Sequence, residues 1–249
     1  TIYCELFLGS GAVFYKLLEQ NYDYDFYVLN DINKDVIELH KYLLFGDLEE
    51  VLEDYDTHRE NLLQNGANYY YEVRNNFNEL RLSSDFLFLN RNCVNGLIRY
   101  NKKKEFNSPF HHNRNGIETK TLSKIISFYR GLVDGRQIDF YSRNFQDLQT
   151  VHYHKDDFVY LDPPYSSSKN AIYGEFVSKL DIEKYINNID CNWGLSYNGI
   201  RGEQDFQSDF KFRKITQSFS IKNNKSSFDR LFNEKQSNVS EYYYTNVLE

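Results

Sequence analysis

The chain has 249 residues, enough for one large α/β domain or for a core carrying an inserted module, with no apolar run long enough to span a membrane and no secretory signal pattern. Cys4, Cys93 and Cys191 are scattered, with no Cys-x-x-Cys pair, and the six histidines show no ligand spacing; this argues against a disulfide framework or a metal site and for a reducing, cytoplasmic setting. The net charge is −7, but residues 1–60 carry 14 acidic and 4 basic groups while residues 86–145 carry 11 basic and 4 acidic ones, and binding to phosphates follows the local field.

Ile2 to Phe7 is a short, largely apolar strand candidate that runs into Gly9-Ser10-Gly11, and Ala12 to Leu18 reads as a helix. Strand, Gly-x-Gly turn and helix open a nucleotide-binding βαβ unit. The next strand, Phe26-Tyr27-Val28-Leu29, ends at Asn30-Asp31-Ile32-Asn33. Asp31 thus falls about 20 residues past the glycines, where such folds place an acid on a ribose hydroxyl; a helix cap is its other reading. The absence of a third glycine suits a ligand without phosphates.

Helical patterns follow at residues 34–45, 47–56 and 69–80 and read as amphipathic packing helices. From Phe86 to His112 aromatic residues mix with Arg and Lys, and Gly96 to Phe106 reads as a hairpin with a basic tip. Strand character resumes at residues 138–142, followed by Asn144 and Asp147, and again at 158–161 and 193–197. Residues 218–221 and 241–244 offer a closing pair of strands. The expected architecture is an α/β sheet, residues 1–48 and 137–249, interrupted by a module of roughly 90 residues at 49–136. No methionine occurs and the chain begins at Thr1, on the edge of its first strand; the expectation is that an N-terminal segment, or the methionines, are missing from the sequence.

Asp162-Pro163-Pro164-Tyr165 ends the apolar run Phe158–Leu161. Two prolines after an acid stop a strand and cannot enter a helix interior, at the strand end where open α/β sheets keep their sites. A carboxylate, a fixed carbonyl and an aromatic face held together suit a planar ring bearing an amino group; an ordinary proline turn is the alternative. The lone pair of a nucleobase amine is delocalised into its ring. Acceptors on both N–H bonds favour the pyramidal, electron-rich form needed for attack. Asp162 and the Pro163 carbonyl can supply them, with Tyr165 stacking on the ring. The group attacked is then an alkyl donor held by Gly9, Gly11 and Asp31, and S-adenosylmethionine fits, with a ribose diol, an adenine and no phosphate. A base in duplex DNA reaches such a pocket only by leaving the stack, at a cost of a few kcal/mol that contacts from the basic insertion can offset.

Together these residues resemble the Dam-type DNA adenine-N6 methyltransferases (D12 class), in which glycine motif, target-recognition insertion and Asp-Pro-Pro-Tyr follow in that order. The segment Glu5-Leu6-Phe7-Leu8-Gly9-Ser10-Gly11 is similar to the family's donor-binding motif, and Asn30-Asp31-Ile32-Asn33 to its ribose-binding acid. Residues 89–101 and 105–110 are similar to its recognition segment. The resemblance implies a Rossmann-like methyltransferase sheet with an inserted, mainly helical target-recognition domain bearing a β-hairpin. It implies catalysis by Asp162, Pro163, Pro164 and Tyr165. Donor binding falls to Glu5, Phe7, Gly9, Gly11, Asp31 and Asp162, with Asp147 either beside the donor's adenine or a plain surface acid. DNA contacts fall to Asn90, Arg91, Val94, Asn95, Leu97, Arg99, Asn101, Lys102, Lys103 and Lys104. Val94 stands where relatives often carry an aromatic wedge, and the family's tryptophan- and lysine-bearing segment before the glycine motif is absent. The implied activity is methyl transfer from S-adenosylmethionine to N6 of a flipped adenine in a short duplex site such as GATC or CATG, without a metal. The implied setting is restriction–modification beside a cognate endonuclease, by a monomer or weak dimer associated with DNA in the cytoplasm. Action on cytosine N4 or on RNA adenine, or a non-catalytic DNA-binding module, are the alternatives.

Overall fold

The computed structural model describes residues 1–113, 116–150, 152–164, 177–201, 204–205, 213–221 and 237–247. Its sheet is built from β1 (Ile2–Glu5), β2 (Phe26–Asn30), β3 (Gln137–Tyr141), β4 (Phe158–Leu161), β5 (Asn192–Arg201), β6 (Gln204–Asp205), β7 (Arg213–Ile221) and β8 (Ser237–Thr245), in the order β3-β2-β1-β4-β5-β8-β7, with β6 paired to β5. Strands β3, β2, β1, β4 and β5 run parallel, in a register that sets Cys4 beside Val28 and Val159. Strand β8 runs antiparallel to both β5 and β7. Both closing strands are longer than the sequence pattern predicts, because alternation weakens toward the polar ends of each strand.

Parallel strands covered on both faces read as short apolar runs, and these do. Side-chain alternation sends Tyr3, Tyr27, Leu29 and Tyr160 to one face and Cys4, Val159, Leu161, Trp193 and Leu195 to the other. The first face is covered by α1 (Ala12–Glu19) and α2 (Lys34–Phe45) through Phe14, Leu18, Ile37 and Leu44. On the second face the cover comes from a 3₁₀ segment (Phe145–Thr150) and the helix Lys179–Asn187, through Phe145, Leu148, Ile182, Tyr185 and Ile186.

Between β2 and β3 the chain makes α3 (Leu48–Asn65), α4 (Ala67–Leu80), α5 (Ser83–Asn92) and α6 (Thr119–Val133); the Lys179–Asn187 helix is α7. Asp47 caps α3 by accepting from the N–H groups of Glu49 and Glu50, and Gly66 (φ 60°) turns the chain into α4. Helix α5 is the centre of this layer, with Asp85 to Leu89 all buried, so its pattern has no polar stripe. Around it Tyr70, Val73, Phe77, Phe86, Phe106 and Phe110 form one aromatic cluster, and Val51, Tyr55, Leu87, Leu122 and Ile126 another. Helix α6 bridges: Leu122 and Ile126 belong to this layer, whereas Val133 packs in the sheet cluster. The expected hairpin is present as a chain reversal without a regular ladder. It is closed by isolated bridges between Tyr100 and Phe106 and between Cys93 and Phe110.

Candidate active site and nucleic-acid interface

From β1 the chain leads to β2 on one side, while β4 lies on the other. The carboxyl ends of β1 and β4 therefore flank a crevice at a topological switch point. A cavity of about 400 Å³ opens there, within the range of small-molecule sites. Its walls are Glu5 to Ser10 after β1, Asn30 to Ile32 after β2, Arg143 to Gln146 after β3, and Asp162 to Pro164 after β4. Val177 and Asp181, just before and within the first turn of the helix Lys179–Asn187, complete the lining.

Asp31 ties the first two walls together. One carboxylate oxygen accepts from the Gly9 N–H at 2.9 Å and the other from the Asn33 N–H at 2.8 Å. Burial raises its pKa, and these two backbone bonds oppose the rise. Asn30 is buried and joins three strand ends, its Nδ2 donating to the carbonyls of Leu6 and Arg143 and its Oδ1 accepting from the Arg143 N–H. The glycine turn is held from beneath. His40 Nε2 lies 2.9 Å from the Gly9 carbonyl, and Tyr15 Oη lies 3.0 Å from His40 Nδ1. Burial lowers the His40 pKa and so favours the neutral ring; a neutral ring donates to the Gly9 carbonyl through Nε2 and accepts from the Tyr15 hydroxyl through Nδ1. Gly11 is left-handed (φ 71°), and a Cβ there would press on Tyr15 and His40.

Glu5 is 2% exposed, yet it lines the cavity. Burial chiefly, with Asp162 and Asp31 nearby, pushes its pKa up to about 8. The Tyr3 hydroxyl, donating at 2.8 Å, and the Phe14 N–H in the first turn of α1 pull the other way. Asp162 is exposed at the rim, Pro163 is buried and Pro164 half-buried. Behind them the Tyr160 and Ser196 hydroxyls share a hydrogen bond of 2.8 Å.

The expected site residues Glu5, Phe7, Gly9, Asp31, Asp162, Pro163 and Pro164 thus line one cavity, and Gly11 shapes its turn. Tyr165 lies outside the described residues. Asp147 is exposed and does not line the cavity; Asn144, Phe145 and Gln146 form that wall instead, with the Asn144 side chain accepting from the Gln146 N–H. His40 and Tyr15 escaped the sequence reading. Ile37, His40 and Leu44 share one helical face at spacings of three and four, which marks the histidine as sheet-facing. Among the described residues no cluster of His, Cys, Asp or Glu could hold a metal ion, and no helix is long and apolar enough to cross a membrane.

At the end of α5 and in the reversal after it, Arg91, Asn95, Arg99, Lys102, Lys103 and Lys104 are exposed, whereas Asn90, Val94, Leu97 and Asn101 are partly buried. Asn95 is left-handed (φ 58°), and the Val94 N–H donates to the Pro109 carbonyl. Asn101 builds the tip: its Oδ1 accepts from the N–H groups of Lys103 and Glu105, and its Nδ2 donates to the Glu105 carboxylate at 2.7 Å. That occupies both ends of its side chain in the turn itself.

Sheet order, switch-point cavity and glycine turn define a Rossmann-like α/β fold. The chain belongs to the D12 class N6 adenine-specific DNA methyltransferase family, whose model matches residues 1–230. It is 32% identical over 179 residues to the Type II methyltransferase M.MjaIII of Methanocaldococcus jannaschii, covering 66% of this chain and 58% of that protein. It is 32% identical over 166 residues to the DNA adenine methylase of Serratia marcescens, covering 65% and 57%, and 34% identical over 170 residues to that of Escherichia coli K12, covering 65% and 55%. The matches span somewhat over half the length of these relatives.

Proposed function

We propose that the protein is a site-specific DNA methyltransferase that methylates N6 of an adenine flipped out of a short duplex site, using S-adenosylmethionine. The observation that carries this reading is that Asp162, Pro163 and Pro164 line the same cavity as Gly9 and Asp31. An amine-gripping turn and a donor loop then face one another across a space of small-ligand size.

The residues fit the donor. Gly9 has open space where a Cβ would be, so the backbone can approach a ligand closely. The Asp31 carboxylate, already spanned by two N–H groups, keeps lone pairs for a ribose diol. Phe7, Ile32 and Phe145 offer apolar walls for a purine, and Glu5 offers a carboxyl whose ionised form an adjacent ammonium would favour. When bound, S-adenosylmethionine supplies a methyl group on a sulfonium, electrophilic enough for a weak nitrogen nucleophile. Asp162 and the Pro163 carbonyl accept the two N–H bonds of the target amine and direct its lone pair out of the ring plane. Asp162 also holds the proton that the nitrogen sheds once alkylated. By the family resemblance alone, Tyr165 is the residue assigned to the face of the base. Pro163 and Pro164 stiffen the turn so that these acceptors do not reorganise during the reaction.

In this reading residues 1–48 with 137–249 form the catalytic domain and 49–136 the target-recognition module. Duplex DNA is the partner, contacted by the basic reversal around Arg99. The Type II name of one relative supports pairing with a cognate restriction endonuclease. The test is transfer of labelled methyl groups from S-adenosylmethionine to mixed-sequence duplex DNA, followed by digestion to nucleosides. N6-methyladenine is expected, with a loss of roughly 10²–10³-fold in kcat for Asp162→Ala, the range for removing one group that stabilises the transition state. Label in N4-methylcytosine, no label in the DNA, or an Asp162→Ala variant as active as the parent would overturn it.

A further inference from the structure

The basic reversal meets α2 at a three-way junction that the chemistry above leaves unused. Arg81 closes α4 in left-handed backbone, φ 56°, where a Cβ is strained and glycine is the usual residue. Its guanidinium gives that position a purpose. Nη1 donates to Asp35 Oδ2 at 3.0 Å and Nη2 to the Lys104 carbonyl at 2.6 Å, while the cation lies over the rings of Phe77 and Tyr100. The Tyr100 hydroxyl donates to the same Asp35 oxygen at 2.6 Å. Lys104 is itself left-handed, φ 61°. Two strained non-glycine residues are thus joined by one hydrogen bond, which turns the tip of the reversal toward α2.

Asp35 sits in the first turn of α2. Its N–H donates to the Asn33 side chain at 3.0 Å, and the Asn33 N–H donates to Asp31 at 2.8 Å. The tip is therefore anchored to the helix end that also shapes the cavity wall.

We propose that Arg81, together with Asp35 and Tyr100, forms a positioning clamp that fixes the lysine-bearing tip in the orientation in which it meets duplex DNA. Arg81 acts through the tip and is not itself a phosphate contact. The inference rests on the DNA-binding reading above. Its sign separates it from plain electrostatics. Removing an acid beside a basic surface strengthens attraction to a polyanion. Removing a clamp partner releases Arg81 and Tyr100 and weakens binding instead.

The test compares the parent with Asp35→Asn, Arg81→Ala and the double variant. Each is titrated at fixed salt against one duplex that the parent methylates, and with S-adenosylhomocysteine by calorimetry. Each single variant is expected to raise the duplex Kd at least ~10-fold, with the double variant no worse than the weaker single one by more than about twofold. The Kd for S-adenosylhomocysteine stays within about twofold, which also reports an intact fold. Tighter or unchanged duplex binding by Asp35→Asn, or additive effects of the two substitutions, overturns the clamp. A parent that binds no duplex defeats the functional reading instead. The clamp is then read from amide hydrogen exchange without DNA: faster exchange at Asn101, Lys104 and Glu105 in Arg81→Ala supports it, and unchanged exchange overturns it.

Discussion

Glu5 shows how one strand position can couple the fold to pH. Its carboxyl has a pKa raised from 4.5 to about 8 by burial and by the nearby carboxylates Asp162 and Asp31. Near neutral pH the folded state keeps a proton that the unfolded chain has released. This contribution to stability is full below about 4.5, falls as pH rises, and is lost through about 8. Glu5→Gln keeps an acceptor for the Tyr3 hydroxyl and removes the titration. Its Tm should match the parent near pH ~5 and exceed it near pH ~8.5. A constant difference between the two proteins across that range would show that Glu5 ionises normally. The two turn glycines make a second residue-scale contrast. A Cβ at Gly9 meets nothing within 4 Å, whereas at Gly11 it lies 2.8 Å from Tyr15 and 3.1 Å from His40. Gly9→Ala should cost only the left-handed strain, about 1–2 kcal/mol. Gly11→Ala should cost measurably more in urea unfolding, because Tyr15 and His40 must also shift.

Strand β5 carries a cross-sheet contact that constrains its neighbour β8. Gly194 lies where a Cβ would overlap the Tyr243 hydroxyl and ring edge, so the tyrosine of β8 lies across a residue with no side chain. Gly194→Ala is expected to destabilise by about 1–3 kcal/mol through overpacking, seen as a lower denaturation midpoint with an unchanged m-value. How far such elements could be read from sequence depended on the kind of burial. Strands β1, β2 and β4 were legible because strands buried on both faces appear as apolar runs between turn residues. Helix α5 was not, since burial all round leaves it no periodic stripe. Helix α6 was missed because its buried residues serve two clusters, Leu122 and Ile126 in one and Val133 in another. The reversal at residues 96–106 was foreseen, but its closure by two isolated bridges and by Arg81 was not. In the site, Glu5, Asp31 and Asp162 were legible because each ends a strand or directly follows one, and Gly9 because it opens the turn between β1 and α1. The walls from Asn144 to Gln146 and from Val177 and Asp181 depend on which strand ends become neighbours, which spacing along the chain does not encode.

Across the whole molecule, the charge is arranged by segment more than by total. The net charge of −7 conceals a local balance of −10 in residues 1–60 and +7 in residues 86–145. A polyanion meeting the second segment is attracted over roughly a Debye length, about 8 Å at physiological salt, so the acidic segment repels it weakly unless the two surfaces adjoin. Lys102, Lys103 and Lys104 concentrate three exposed positive charges on one tip. If all three neutralise phosphates, their joint replacement by Ala lowers the slope of log K against log salt by about 2.7, at roughly 0.9 per phosphate contact. The loss in affinity is then large at low salt and shrinks as salt rises, while the affinity for S-adenosylhomocysteine is unaffected. Each lysine that points into solvent lowers the expected change by about 0.9. A slope equal to the parent's would mean that none of them reaches the duplex, and would leave Arg91, Arg99 and the other cations of the insertion to account for the phosphate contacts.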